Sequence, residues 1–307
     1  MINFIIHPGF VKTGSTFFQK NVIPKLNNFL SIGKPYNDNT LHDKIKLLFY
    51  SKKSHTFKKK LIRNLVLEIL TNIKKKKIKN IIFSDEALLD SEFYNPKKNI
   101  LYLDKIIKEL RKKTRVKLCF ILTTRNQTNL IISRFAYVHP NLGKKYSSLE
   151  NYIDTNIKNN SYFFQSIKFY KFKNSIQKKF KCKIYLIPLE TLENNRNKYL
   201  RALKMIFLSN LKINKIKFSK ININSKNYNF YIKKGNKWFE TYLLLRKMKS
   251  LVPSKYAEDL KKFLSKKIKF NQSDITLKHN NKTLSKIEKY FLSDNNKLLK
   301  KDKINYL

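Results

Sequence analysis

The chain has 307 residues, 42% of them hydrophobic and 13% aromatic, and carries 67 Lys+Arg against 20 Asp+Glu for a formal net charge of +47. That apolar content excludes a disordered chain and suffices for one large domain or two small ones. No apolar run approaches the roughly 18 residues of a spanning helix, and two cysteines, Cys119 and Cys182, in apolar runs exclude a disulfide scaffold.

The excess charge is almost all lysine, accompanied by abundant Asn, Ile, Phe and Tyr, residues with A/T-rich codons. It reads as compositional bias that bears on solubility and non-specific binding, and it favours an anionic ligand. No zinc finger, RNP-like aromatic motif or basic heptad region accompanies it, so no specific nucleic-acid partner is expected.

In chain order, Asn3–His7 is a short apolar strand with no basic region before it, so no signal peptide is expected and the compartment is expected to be cytoplasmic. The stretch His7-Pro8-Gly9-Phe10-Val11-Lys12-Thr13-Gly14-Ser15-Thr16 then holds two of the chain's five glycines. Ser15–Val22 is a short helix that stops or kinks near Pro24. Lys59–Ile73 carries an apolar stripe of Leu61, Ile62, Leu65, Val66, Ile69 and Leu70 at helical spacing. Asn80–Ser84 is a strand followed by Asp85 and Glu86. Asn99–Lys112 repeats the helical stripe, Val116–Thr123 is a strand, and Asn126–Val138 and Ser161–Phe180 are helices. Lys183–Ile187 is the last strand. Beyond Pro188 the pattern is helical only: Thr191–Leu208, Asn236–Lys249, Ser254–Leu264 and Thr283–Leu299, with Leu211–Tyr231 showing no period.

Continuous apolar strands alternating with amphipathic helices predict an α/β fold: a central parallel sheet with helices on both faces, P-loop NTPase-like in three layers, with a helical C-terminal part. We expect one domain over 1–307, with a nucleotide-binding core at 1–192 and a helical acceptor-side extension at 193–307.

Strand, glycine-bearing loop, helix is an anion-binding arrangement. The helix start offers N–H groups and a partial positive charge. Gly14 permits close backbone approach, Ser15 and Thr16 supply hydroxyl and amide donors, and Lys12 adds a point charge. Walker A is absent, because Ser15 follows Gly14 where that motif needs lysine. The order Lys12-Thr13-Gly14-Ser15-Thr16 after a strand instead resembles the 5′-phosphosulfate loop of sulfotransferases that use 3′-phosphoadenosine 5′-phosphosulfate (PAPS).

A second stretch strengthens the resemblance. The family's 3′-phosphate motif has an arginine at a strand's end and a serine eight positions on, and Arg125 and Ser133 match it. Asn126 is a good N-cap for the helix that carries Ser133. The family's proline is Gln127 here, and its Asp-Arg pair is Asn129-Leu130. Pro188-Leu189-Glu190-Thr191-Leu192 resembles a further, structural segment, and Lys233-Lys234-Gly235 one that closes over the 3′-phosphate.

The resemblance implies sulfuryl transfer from PAPS to a hydroxyl or amine of a small-molecule or glycan acceptor, leaving 3′-phosphoadenosine 5′-phosphate (PAP), without a metal. Lys12 would stabilise the leaving phosphate, Thr13, Gly14, Ser15 and Thr16 would cradle it, and Arg125 and Ser133 would recognise the 3′-phosphate. None of the chain's histidines follows the Asn80–Ser84 strand, where many members carry a catalytic one. Glu86 is therefore the candidate base, with Asp85 second. A P-loop nucleoside or sugar kinase and a non-catalytic basic nucleic-acid-binding protein are the competing readings.

Overall fold

The computed structural model describes residues 1–10, 12–33, 39–51, 53–90, 95–142, 146, 148–207, 216 and 281–304. Five parallel strands form one sheet: β1 (Ile2–His7), β2 (Phe29–Gly33), β3 (Asn80–Ser84), β4 (Val116–Thr124) and β5 (Lys183–Pro188), in the order β2-β3-β1-β4-β5. Side chains alternate between two cores. Phe4, Ile6, Ile81, Phe83, Phe120 and Leu122 face one, and Ile5, Ile82, Ile121 and Ile187 face the other. A strand buried on both faces must be apolar at every step, which is why these runs lack polar alternation.

The first face is covered by α2 (Asn39–Tyr50), α3 (His55–Lys75), α4 (Pro96–Lys113), α5 (Gln127–Leu142) and α8 (Phe169–Phe180), with α6 (Leu149–Lys158) and α7 (Tyr162–Ser166) extending the same core. The second face is covered by α1 (residues 15–25), α9 (Leu189–Asn194) and α10 (Arg196–Phe207). Helix α1 starts as Ser15–Phe17, continues as a π turn over Phe18–Val22 and ends as a 3-10 turn over Ile23–Lys25, which contains Pro24. The expected three-layer α/β architecture is therefore the one observed.

Several elements differ from the sequence reading. Strand β2 was not expected: it is an edge strand, FLSIG, in which Leu30, Ile32 and Gly33 are buried while Phe29 and Ser31 are only partly so. Helices α2 and α6 were also not expected; α6 is capped by Ser148, whose hydroxyl accepts from Asn151 N. The stretch Ser161–Phe180 is two helices, because Lys168 leaves helical geometry at ψ 80°. Thr191–Leu208 is likewise broken at Asn195, whose side chain accepts from Lys198 N at 2.9 Å and caps α10. The Asn236–Lys249 and Ser254–Leu264 helices, Lys233-Lys234-Gly235, and Leu211–Tyr231 apart from Ile216 lie outside the described residues.

The described helices beyond residue 192, α10 and one nearer the end of the sequence, add to the two layers. Helix α11 (Asn281–Asp302) packs Ile287, Phe291 and Leu298 into the first core. Its Asp294 carboxylate accepts from Tyr170 N and Lys171 N, both at 3.0 Å, and so caps α8 from outside. Its Asn295 accepts from Gln127 Nε2 at 2.7 Å at the start of α5. Gln127 thus ties the start of α5 to α11. No helix among the described residues is long and apolar enough to cross a membrane.

Phe291→Ala empties a buried site beside Phe164, whose ring centroid is 5.9 Å away. It is expected to lower global stability by about 3–5 kcal/mol. A main transition in denaturant that stays at its wild-type midpoint would show α11 to be an appendage.

Candidate functional site

The chain leaves β1 towards β2 on one side of the sheet and leaves β4 towards β5 on the other. Adjacent strands with diverging connections open a crevice at their carboxyl ends, and in open α/β sheets ligands bind there. The loop after β1 and the Arg125-Asn126 corner after β4 flank this crevice.

The β1 loop is bound down from several directions. Phe10 is buried against the edges of Phe169 and Phe172 at 5.3 and 5.4 Å. Thr13 Oγ1 donates to Phe10 O at 2.7 Å and pairs with Thr123 Oγ1 of β4 at 2.8 Å. Arg125 Nη1 donates to Lys12 O at 3.2 Å. Lys12 itself sits at φ 71°. A side chain in that region costs about 1–2 kcal/mol, and such strain persists only where surroundings over-determine it. Gly14, at φ 81°, precedes α1 without a side chain to cap it, and a Cβ there would meet Leu189 Cδ1 at 2.6 Å. The first N–H groups of α1 therefore receive no side-chain cap.

The candidate residues divide clearly. Ser15 donates from Oγ to Glu86 Oε2 at 2.6 Å, which brings the loop and the residue after β3 together. Thr16 is exposed and Thr13 is buried in its clasp. Asp85 is buried; its N–H donates to His7 O at 3.2 Å, and its carbonyl accepts from Leu88 N. Glu86 is the carboxylate that faces the loop. Asn126 is the expected N-cap, accepting from Asn129 N at 3.2 Å, and its own N–H donates to Glu190 Oε1 at 2.7 Å. The Pro188–Leu192 segment is structural in this sense: Glu190 fastens the β4 corner. Ser133 lies on α5 as expected but is 3% exposed, so a phosphate reaches its hydroxyl only by displacing what covers it.

Two features escaped the sequence reading. Arg134, 1% exposed, projects from α5 and pairs with Asp90, which lies beyond the 3-10 turn Glu86–Leu88. Burial lowers the Lys12 pKa from the usual lysine range; the Arg134 and Arg125 charges lower it further, and Glu86 opposes them. Lys12, Arg125 and Arg134 thus act on one locality. The signal for Arg134 was present, since it falls on the apolar stripe of Leu130 and Ile131, where a cation must find a partner. His7 is the second feature. It is fully buried, with Nδ1 2.9 Å from Ser84 Oγ; that hydroxyl oxygen accepts from Gln19 Nε2 at 3.1 Å. Burial pushes its pKa down to about 3, with Glu86 opposing, so the ring is neutral at physiological pH.

The acids of α9 temper this field. Burial raises the Glu193 carboxyl above the usual range, Arg125 opposes the rise and Glu190 adds to it. An open groove of about 460 Å³ also lies between α8 and α11, lined by Lys168, Tyr170, Tyr290, Asp294 and Lys297 among others.

Gly14→Ala is expected to lower stability by at least about 1–2 kcal/mol from backbone strain alone. Overlap with Leu189 adds to this, so a Leu189→Ala background should recover part of the loss in denaturant unfolding. Full additivity of the two changes would place Leu189 away from the loop. Comparison of the chain with protein-family models, with curated proteins and with solved structures gave no match.

Proposed function

We propose that the chain transfers a sulfuryl group from PAPS to a hydroxyl or amine of an acceptor, a sugar or glycan by family resemblance. The carrying observation is the hydrogen bond from Arg125 to the Lys12 carbonyl, because it joins the two motifs of the resemblance across the β1–β4 crevice. The donor set suits an anionic ligand: Lys12 and the uncapped start of α1 lie on one flank of the crevice, and Arg125, at the end of β4, on the other. PAPS, when bound, supplies the activated sulfuryl group.

Lys12 stabilises the charge that gathers on the 5′-phosphate oxygen as its bond to sulfur breaks. The N–H groups of Ser15 and Thr16 hold that phosphate at the start of α1. Glu86, beside Ser15, takes the acceptor proton as the acceptor oxygen bonds to sulfur. Arg125 distinguishes PAP from nucleotides that lack a 3′-phosphate. Positioning and charge stabilisation carry the reaction, as in phosphoryl transfer.

Calorimetric titration with PAP, AMP, ADP and ATP at moderate salt tests the nucleotide. PAP is expected to bind much more tightly than AMP, with the preference lost in Arg125→Ala. Equal weak binding of all four would overturn the proposal, and a preference for ATP would favour a kinase. Lys12→Ala is expected to slow PAP release from PAPS by about 100-fold or more, with a panel of sugar acceptors present and the thermal transition retained. Wild-type turnover in that variant would remove Lys12 from the site.

A further inference from the structure

Ser15, the first residue of α1, commits its hydroxyl to a carboxylate inside the molecule. The 2.6 Å separation from Glu86 Oε2 is in the range of a charge-assisted hydrogen bond. Both residues are pressed into the loop: a Cβ placed on Gly9 would lie 3.0 Å from Ser15 Cβ and 3.4 Å from Glu86 Cβ. The absence of a side chain at Gly9 is what lets β1, α1 and the segment after β3 converge here. The same carboxylate acts on the neighbouring cation, since Glu86 supports the Lys12 ammonium against burial and against two arginines. It also acts on His7, which is neutral.

Glu86 therefore spends its negative charge on the hydroxyl and the ammonium that an incoming anion needs. A carboxylate and a phosphate oxygen cannot both accept the one Ser15 proton, and like charges at such separation repel. We propose that Glu86 is an internal ligand of the β1 loop that competes with external anions for Ser15 and Lys12, and that an arriving anion takes over Ser15 and sets the carboxylate free. The inference rests on the proposed reading of this loop as the phosphate site. It adds an order to the reaction. Until the nucleotide is seated, the carboxylate that would take the acceptor proton is tied to Ser15, so the anionic donor binds first. Ser15 acts as a positioning residue that passes from Glu86 to the ligand.

The test is calorimetric titration of the wild type, Glu86→Gln and Glu86→Ala with inorganic pyrophosphate, and separately with PAP and AMP, at one salt concentration. Glu109→Gln, on α4, controls for the loss of one negative charge from a +47 chain. Both Glu86 variants are expected to bind pyrophosphate about tenfold more tightly, the scale of one charge-assisted hydrogen bond, while Glu109→Gln binds as the wild type does. Adding Lys12→Ala should remove most of the gain. A rise in affinity separates competition from structural damage, because a damaged loop binds more weakly. If the wild type binds pyrophosphate and neither Glu86 variant binds it more tightly, the inference is overturned and the anion site stands. If the wild type binds neither pyrophosphate nor PAP, the site reading fails and takes the inference with it. Tighter pyrophosphate binding without any preference for PAP over AMP upholds the competition and rejects PAPS as its natural ligand.

Discussion

Two side chains at the end of β4 hold the loop after β1 in place, and the rest of the site depends on that clasp. Thr123 secures Thr13 and Arg125 secures the Lys12 carbonyl. With these two adjacent residues gripped, Lys12 can occupy a left-handed backbone conformation that an isolated loop would abandon. The parallel pairing of β1 with β4, in register from Ile2↔Val116 to Ile6↔Phe120, brings the two carboxyl ends side by side.

The local charge is a more informative quantity than the net charge. The value of +47 is a sum over the whole chain and by itself singles out no locality. Lys12, Arg125 and Arg134 differ because they are partly or wholly buried and act on one another, and acids answer them individually. Glu86 opposes the lowering of Lys12, Asp90 pairs with Arg134, and Glu193 lies within reach of the Arg125 charge. The site is thus a balanced arrangement of charges in a poorly solvated crevice, where each is worth more than a surface counterpart.

The C-terminal helix contributes at a distance. Asp294 supplies the cap that α8 lacks from its own sequence, and Asn295 receives Gln127 at the start of α5. Gln127 is therefore the residue that anchors α5, and with it Ser133 and Arg134, to α11. Proline at that position would offer no such tether, since it lacks a side-chain donor.

Four of the five strands, the amphipathic helices α3, α4 and α11, the N-cap at Asn126 and the uncapped glycine entrance to α1 are legible in the sequence. These rest on local signals: apolar runs, helical spacing and the chemistry of single caps. Strand β2 stayed illegible because an edge strand needs no continuous apolar run, and the breaks at Lys168 and Asn195 because neither glycine nor proline marks them. Which side chains share the crevice is set by long-range packing. Arg134 reads as one arginine in an apolar helix until α5 carries it to Asp90, and Glu86 as a residue after a strand until β3 sets it against Ser15. Those pairings join residues 44 and 71 positions apart. Their partners are chosen by sheet order and layer packing, which no window of adjacent residues contains.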